Sequence, residues 1–239
     1  SYLAELDRNG EGDEKGLPTY AQVVAAVNAK AGPHDPMVTA AGGLPGETVK
    51  GWRVKAPDTY DCDFGFSCMG YEIAAGWGHA MANPGATPIV MVGDGSYLLM
   101  NSDIYSSVLT GHKMIVVVCD NGGFAVINRL QNFKGVPSFN NQIVDCKVVE
   151  PFAVRFADHA RSMGAEARHA ASLADLDAAL DWARTTDRTT VICIDTDPFA
   201  WVPGDADWDV GVPEVSERET VREARARHEE IRKRQRVGV

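Results

Sequence analysis

A carboxylate and a carboxamide, each just past an apolar run, are the residues of this chain best spaced for shared chemistry. Asp94 sits in Gly93-Asp94-Gly95-Ser96-Tyr97, after Pro88-Ile89-Val90-Met91-Val92. Asn121 sits in Asp120-Asn121-Gly122-Gly123, after Met114-Ile115-Val116-Val117-Val118-Cys119, and the two strings begin 27 positions apart. Both runs read as buried strands. In a parallel sheet both turns fall at the carboxyl ends of their strands, where open α/β sheets bind ligands. Asp94 offers a hard carboxylate oxygen and Asn121 an amide oxygen, so with diphosphate oxygens and water they can complete an octahedral Mg²⁺ site. The glycines let backbone approach phosphate, and a helix that follows aims free N–H groups at it. Either string alone is a common strand–helix turn; the pair carries the reading.

The elements that position them are legible to different degrees. Pro18 to Lys30 reads as a helix capped by Thr19, with Val23, Val24 and Val27 on one face. Met37 to Ala41 reads as a short buried strand, and Gly42-Gly43-Leu44-Pro45-Gly46 as a loop. Met69 to Met81 has helical character, with Gly76 and Gly78 admitting a neighbouring backbone. A helix is expected over about Leu98–Thr110, stopped by Gly111. Residues 132–148 lack periodicity and read as a long loop, a kind of segment that is often functional. Helix Pro151–Met163, a short strand near Ala165–Ala167, helix Leu173–Arg184 and strand Thr190–Asp195 follow. Residues 1–17 read as a linker or tail, and 201–239 as a Pro/Gly/Asp-rich loop, over 203–213, and a charged helix, over 217–236. The alternation predicts an α/β, Rossmann-like three-layer fold over 18–200, with a mainly parallel sheet and helices on both faces.

Composition narrows the function classes. A chain of 239 residues with 45% hydrophobic content is globular, and its net charge of −10 argues against general nucleic-acid binding. No apolar run is long enough to cross a membrane, and the first residues lack a signal-peptide layout. Five cysteines at 62, 68, 119, 146 and 193 form no CxxC pair. They are expected to be reduced thiols in a cytoplasmic protein, not zinc ligands. The six histidines have no ligand-like spacing.

The GDG string, 24 intervening residues and then Asp120-Asn121 resemble the metal–diphosphate motif of thiamine-diphosphate (ThDP) enzymes, with Asp120 in place of the family's first Asn. Longer strings extend the likeness over roughly residues 16 to 200. They are Gly16-Leu17-Pro18-Thr19-Tyr20, Ala40-Ala41-Gly42-Gly43-Leu44-Pro45-Gly46-Glu47, Phe64-Gly65-Phe66-Ser67-Cys68-Met69-Gly70-Tyr71-Glu72, Gly93 through Ser102, Ala125-Val126-Ile127-Asn128-Arg129-Leu130-Gln131 and Gly135-Val136-Pro137-Ser138-Phe139. Together they are similar to the carboxyl-terminal part of the trihydroxycyclohexane-dione hydrolases, ring-opening ThDP enzymes of myo-inositol catabolism.

The resemblance implies ThDP and Mg²⁺ as cofactors and a cyclic 1,2-dione as substrate. It implies metal ligation by Asp94, Asn121 and the Gly123 carbonyl. Cofactor contacts fall to Gly93, Gly95, Ser96 (through N–H and hydroxyl), the Ser67 carbonyl, and Met69 as the wedge that keeps ThDP bent. Tyr71, Glu72, Asn128, Arg129 and Gln131 are candidates for moving protons at the substrate. Arg129 has a surface or interface ion pair as an equal alternative, Ser96 a plain N-cap role, and Met69 a core role. A pyrimidine-binding domain normally completes such a site with a glutamate. The expectation is therefore a diphosphate-binding domain that is inactive alone and needs a missing pyrimidine-binding domain or partner subunit, in a homo-oligomer. The rival readings are an acetolactate-synthase-like or 2-oxoacid decarboxylase subunit, and a non-catalytic phosphate-binding scaffold.

Overall fold

The computed structural model describes residues 16–202 and 211–235. The chain runs α1 (Tyr20–Lys30), β1 (Met37–Thr39), α2 (Leu44–Gly51), β2 (Tyr60–Cys62), α3 (Tyr71–Ala82), β3 (Ile89–Gly93), α4 (Asp94–Leu99), α5 (Ser102–Thr110), β4 (Ile115–Asp120), α6 (Ala125–Phe133), a 3₁₀ turn (Ile143–Asp145), α7 (Phe156–Ser162), β5 (Glu166–Ala170), α8 (Leu173–Thr185), β6 (Thr190–Asp195) and α9 (Glu219–Arg234).

The six strands form one sheet in the order β2-β1-β3-β4-β6-β5, and every strand pairing is parallel. Alternate residues of each strand feed opposite cores, as the pleat requires. On one face Ile115, Val117 and Cys119 of β4 join Met37, Ile89, Met91, Ile192 and Ile194 under α1 and α8, through Val23, Val24, Val27, Leu176 and Leu180. On the other, Val116 and Val118 join Val90, Val92, Val191 and Cys193 under Ile73 of α3, Tyr97 of α4, Ile104 of α5 and Phe156 of α7. Such fully buried side chains each contribute roughly 1.5–3 kcal/mol. The expected three-layer α/β fold is present, and its sheet is parallel throughout.

Several boundaries differ from the sequence reading. Helix α1 starts where expected, with a capping box in which Thr19 and Gln22 satisfy each other's backbone N–H groups. The loop expected over 42–46 instead becomes helix at Leu44: Pro45 falls in the first turn, where a missing N–H costs nothing. The single helix expected over 98–110 is two, broken at Met100–Asn101. Helix α7 begins only at Phe156, because Phe152 and its neighbours are exposed and give an amphipathic turn no surface to bury. Strand β5 extends to Ala170. Edge strand β2 and helix α6 had no reading at all. The expected role of Gly76 also changes: a side chain there would run into Val90, so the glycine admits a sheet side chain and not a backbone, while Gly78 faces open space. Of the tails, residues 1–15, 203–210 and 236–239, where the expected charged helix ends, lie outside the described residues. Helix α9 packs Val221 and Ala224 against Val136 and Val212.

Candidate cofactor site

Strands β1, β3 and β4 end side by side, and the turns that leave them enclose a cleft. Its walls include Tyr20, Ala41–Leu44, Ser67, Met69, Gly93–Ser96, Asn121, Gly123–Ile127 and Leu130. The turns that hold Asp94 and Asn121 thus meet at the same edge of the sheet, the carboxyl ends of β3 and β4. β3 ends at Gly93, and Asp94 is the first residue of the helix that follows.

Asp94 is buried, and its Oδ1 has no hydrogen-bond partner. Burial, together with the neighbouring Asp120 carboxylate, pushes the Asp94 carboxyl up to about 7, against the pull of the Asn121, Gly95 and Gly123 N–H groups. Asn121 shows the same pattern: Oδ1 is buried without a partner, while Nδ2 donates to the Tyr20 hydroxyl at 2.5 Å. That bond fixes which way the amide faces. Burial, with Cys119 and Asp94 nearby, holds the Tyr20 phenol well above its ordinary value, so it stays a neutral acceptor. Two hard oxygens without partners in one cleft fit a divalent cation with oxygen ligands.

Asp120, the departure from the family pattern, serves the turn. Its Oδ1 accepts from the Gly122 N–H at 2.9 Å, an Asx-type closure that an Asn would also make. Gly123 has φ 147°, and a side chain there would overlap the Asn141 carbonyl oxygen. Segment 141–143 in turn pairs with the loop: Phe124 N donates to Asn141 O at 2.7 Å and Ile143 N to Gly122 O at 2.9 Å. The segment 132–148 read as loop is therefore partly built, into the end of α6, the 3₁₀ turn Ile143–Asp145 and this pairing.

All eight residues expected to touch cofactor line the cleft, Met69 among them. Met69 is 37% exposed, so it is a cleft wall and not a core methionine. A Cβ on Gly95 would lie 3.5 Å from the Met69 Cε and closer still to the Phe124 ring, which shows how tightly these walls approach. The Ser96 hydroxyl departs from expectation. It is buried, accepts from the Gly70 N–H at 2.8 Å and donates to the Glu72 carboxylate at 2.8–2.9 Å, so it turns inward; nor is Ser96 a cap, since Gly93 holds that position.

The proton-transfer candidates are not gathered there. Glu72 is fully buried behind the cleft wall, with its contacts inside the fold. Tyr71 donates to the Asp61 carboxylate at 3.0 Å, and His79 contacts the same carboxylate at 2.8 Å. Asn128 is buried within α6. The Arg129 guanidinium lies 4.9 Å from the centre of the Trp201 ring, in a smaller hollow beside the cleft. Gln131 bonds Pro137 and Asn141. Sequence neighbours of a cleft residue point elsewhere because each step along a helix turns the side chain by about 100°. Tyr20, Ala41–Leu44 and Phe124–Ile127 were missed as site residues, although each lies within or beside a string that carried the resemblance.

Residues 40–194 match the family described as thiamine pyrophosphate enzyme, C-terminal TPP binding domain. The chain belongs to this family. Thiamine pyrophosphate is the same molecule as ThDP, so this TPP-binding domain has its cleft where the family motif falls. Among curated relatives, 3D-(3,5/4)-trihydroxycyclohexane-1,2-dione hydrolase of Bacillus licheniformis is 35% identical over 207 residues, covering 83% of this chain and 31% of that protein. The proteins of the same name from Listeria monocytogenes and Bacillus subtilis are 34% and 35% identical, covering 86% and 79% of this chain and 32% and 30% of theirs. The chain thus spans about a third of the length of these relatives. The fold also superposes on a thiamine diphosphate-dependent 4-hydroxybenzoylformate decarboxylase of Rhodococcus jostii, with TM-score 0.70 and 18% identity over 80% of this chain and 34% of that one. At that identity the likeness speaks for the fold alone.

Proposed function

We propose that this TPP-binding domain is the ThDP- and Mg²⁺-holding part of a hydrolase that cleaves a carbon–carbon bond in a cyclic 1,2-dione, the trihydroxycyclohexane-1,2-dione of inositol degradation, to give 5-deoxy-glucuronate. The observation that carries the cofactor half of this reading is the pair of partnerless buried oxygens, Asp94 Oδ1 and Asn121 Oδ1, in one cleft. The substrate half rests on the names of the relatives.

In this reading Asp94, Asn121 and the Gly123 carbonyl hold Mg²⁺. The backbone of Gly93, Gly95 and Ser96 faces the diphosphate. Met69 and the Ser67 carbonyl, on the same cleft, would hold the thiamine end of the cofactor. When bound, ThDP supplies a carbon nucleophile and an electron sink. The apolar side chains of Leu44, Met69, Ile127 and Leu130 also line the cleft and would limit water in it. Glu72, Tyr71, Asn128 and Arg129 stand outside the cleft, so proton transfer falls to a pyrimidine-holding domain from the same protein or a partner subunit. The working enzyme is a cytoplasmic homo-oligomer in which this domain and a pyrimidine-holding one share each site.

The test is turnover by the complete protein. With ThDP and Mg²⁺ it should open the dione and release the carboxylate, and this 239-residue chain alone should fold but turn nothing over. Conversion of a 2-oxo acid with no action on the dione would replace the reading by a decarboxylase or acetolactate-synthase-like one. Absence of bound thiamine in a thiochrome assay would leave a phosphate-binding scaffold.

A further inference from the structure

Glu72 is a carboxylate with 0% exposure and no cation beside it among its described contacts. Buried anions survive only when donors replace water. Here three converge, and each belongs to a different wall of the cleft. Oε1 accepts from the Ala41 N–H at 3.1 Å, the start of the turn after β1. Oε2 accepts from the Gly70 N–H at 2.9 Å, the end of the loop that carries Ser67 and Met69. The Ser96 hydroxyl donates at 2.9 and 2.8 Å to the two oxygens, from the helix that Asp94 opens. The Gly70 N–H also reaches the Ser96 oxygen at 2.8 Å, so the loop and the helix are tied to each other as well as to Glu72. Glu72 occupies the first turn of α3, whose free N–H end favours negative charge. Gly70 precedes that helix at φ 97°, and a side chain on it would overlap Met100.

We infer that Glu72 is a positioning residue: its carboxylate fixes the spacing between the wall bearing Met69 and the wall bearing Asp94, and thereby holds the thiazolium support in register with the diphosphate anchor. It touches no ligand and moves no proton. An amide cannot replace it, because a Gln side chain keeps one acceptor oxygen and turns its NH₂ toward either the Ala41 or the Gly70 N–H, which also donates. A shorter carboxylate keeps the chemistry and loses reach.

The inference rests on the ThDP reading, and two separate measurements on the complete protein keep the two claims apart. The first is amide hydrogen exchange without cofactor. In Glu72→Gln the Ala41 and Gly70 amides should exchange at least tenfold faster, with amides of the β4–β6 pairing unchanged. The second compares wild type, Glu72→Gln and Glu72→Asp by ThDP titration with Mg²⁺ and by the rate of C2 proton exchange of bound ThDP, read by NMR at saturating cofactor. Glu72→Gln should weaken ThDP binding at least tenfold and slow C2 exchange at least tenfold. Glu72→Asp should recover part of both, and the pH midpoint of C2 exchange should stay where it is in wild type. Wild-type amide exchange, or wild-type C2 exchange, in folded Glu72→Gln overturns the positioning role, and a displaced pH midpoint overturns it in favour of proton transfer. A wild-type protein that binds no ThDP overturns the cofactor reading instead, and the amide exchange of Ala41 and Gly70 still decides whether Glu72 ties the walls.

Discussion

Two buried carboxylates, Asp94 in the cleft lining and Glu72 behind it, are finished differently. Glu72 has both oxygens occupied by three internal donors. Asp94 has one oxygen with no partner at all, and its carboxyl is pushed up to about 7 by burial and by Asp120. A fold that satisfies one carboxylate so completely has the means to satisfy the other. Leaving Asp94 short of a partner, beside an Asn121 amide in the same condition, prepares a place for something that arrives later. In the proposed reading the satisfied carboxylate keeps the walls together and the unsatisfied one takes a cation.

The largest expected effect breaks the receiving side. In the complete protein Asp94→Ala should lower Mg²⁺-dependent ThDP affinity at least a hundredfold while the thermal transition survives, read by cofactor titration and calorimetry. Next comes the holding side. Gly70→Ala places a side chain at φ 97° against Met100. It should cost about 2–6 kcal/mol in a urea melt, the sum of backbone strain and overpacking.

A pH experiment sharpens the contrast. The Asp94 carboxyl moves from an ordinary 3.8 to about 7 in the fold. Between about pH 4 and 7 the folded state keeps a proton that the unfolded chain has released. The Asp94 contribution to stability therefore falls as pH rises through that window and is flat above it. Without cofactor, Asp94→Asn should gain stability over wild type between pH 5 and pH 8, by an amount on the order of a few kcal/mol. An equal pH slope in both proteins would contradict it. The smallest effect concerns orientation. Tyr20→Phe removes the hydroxyl that fixes the Asn121 amide, and should weaken ThDP binding severalfold in the same titration without altering the melting curve.

How much of this was readable depended on how local each feature is. Strands β3, β4 and β6 were legible because buried parallel strands read as unbroken apolar runs, and the two turns after β3 and β4 were legible as strings. Strand β2 was not, since three half-buried edge residues with Asp61 in the middle carry no period. Helix α2 hid behind its own Gly and Pro. The break at Met100 hid inside an apolar stretch, Leu98-Leu99-Met100, that reads as continuous helix. The expected cleft residues came from the loops and first helical turn that leave the strands, and from the loop before α3. The expected residues that fall outside the cleft lining, Tyr71, Glu72, Asn128 and Arg129, came from helices, where a neighbour in sequence faces another way. The tie at Glu72 joins positions 41, 70 and 96, and no local string can announce a contact among three separate segments.

The central claim is that the partnerless oxygens of Asp94 and Asn121 receive a cation together. The most direct test is anomalous diffraction from crystals of the complete protein grown with ThDP and Mn²⁺ in place of Mg²⁺. The account predicts one metal ion per site, bonded to an Asp94 carboxylate oxygen and the Asn121 side-chain oxygen at about 2.1 Å, the distance of a hard cation to oxygen. A metal bound elsewhere, or ThDP bound with both oxygens still without a partner, would contradict it.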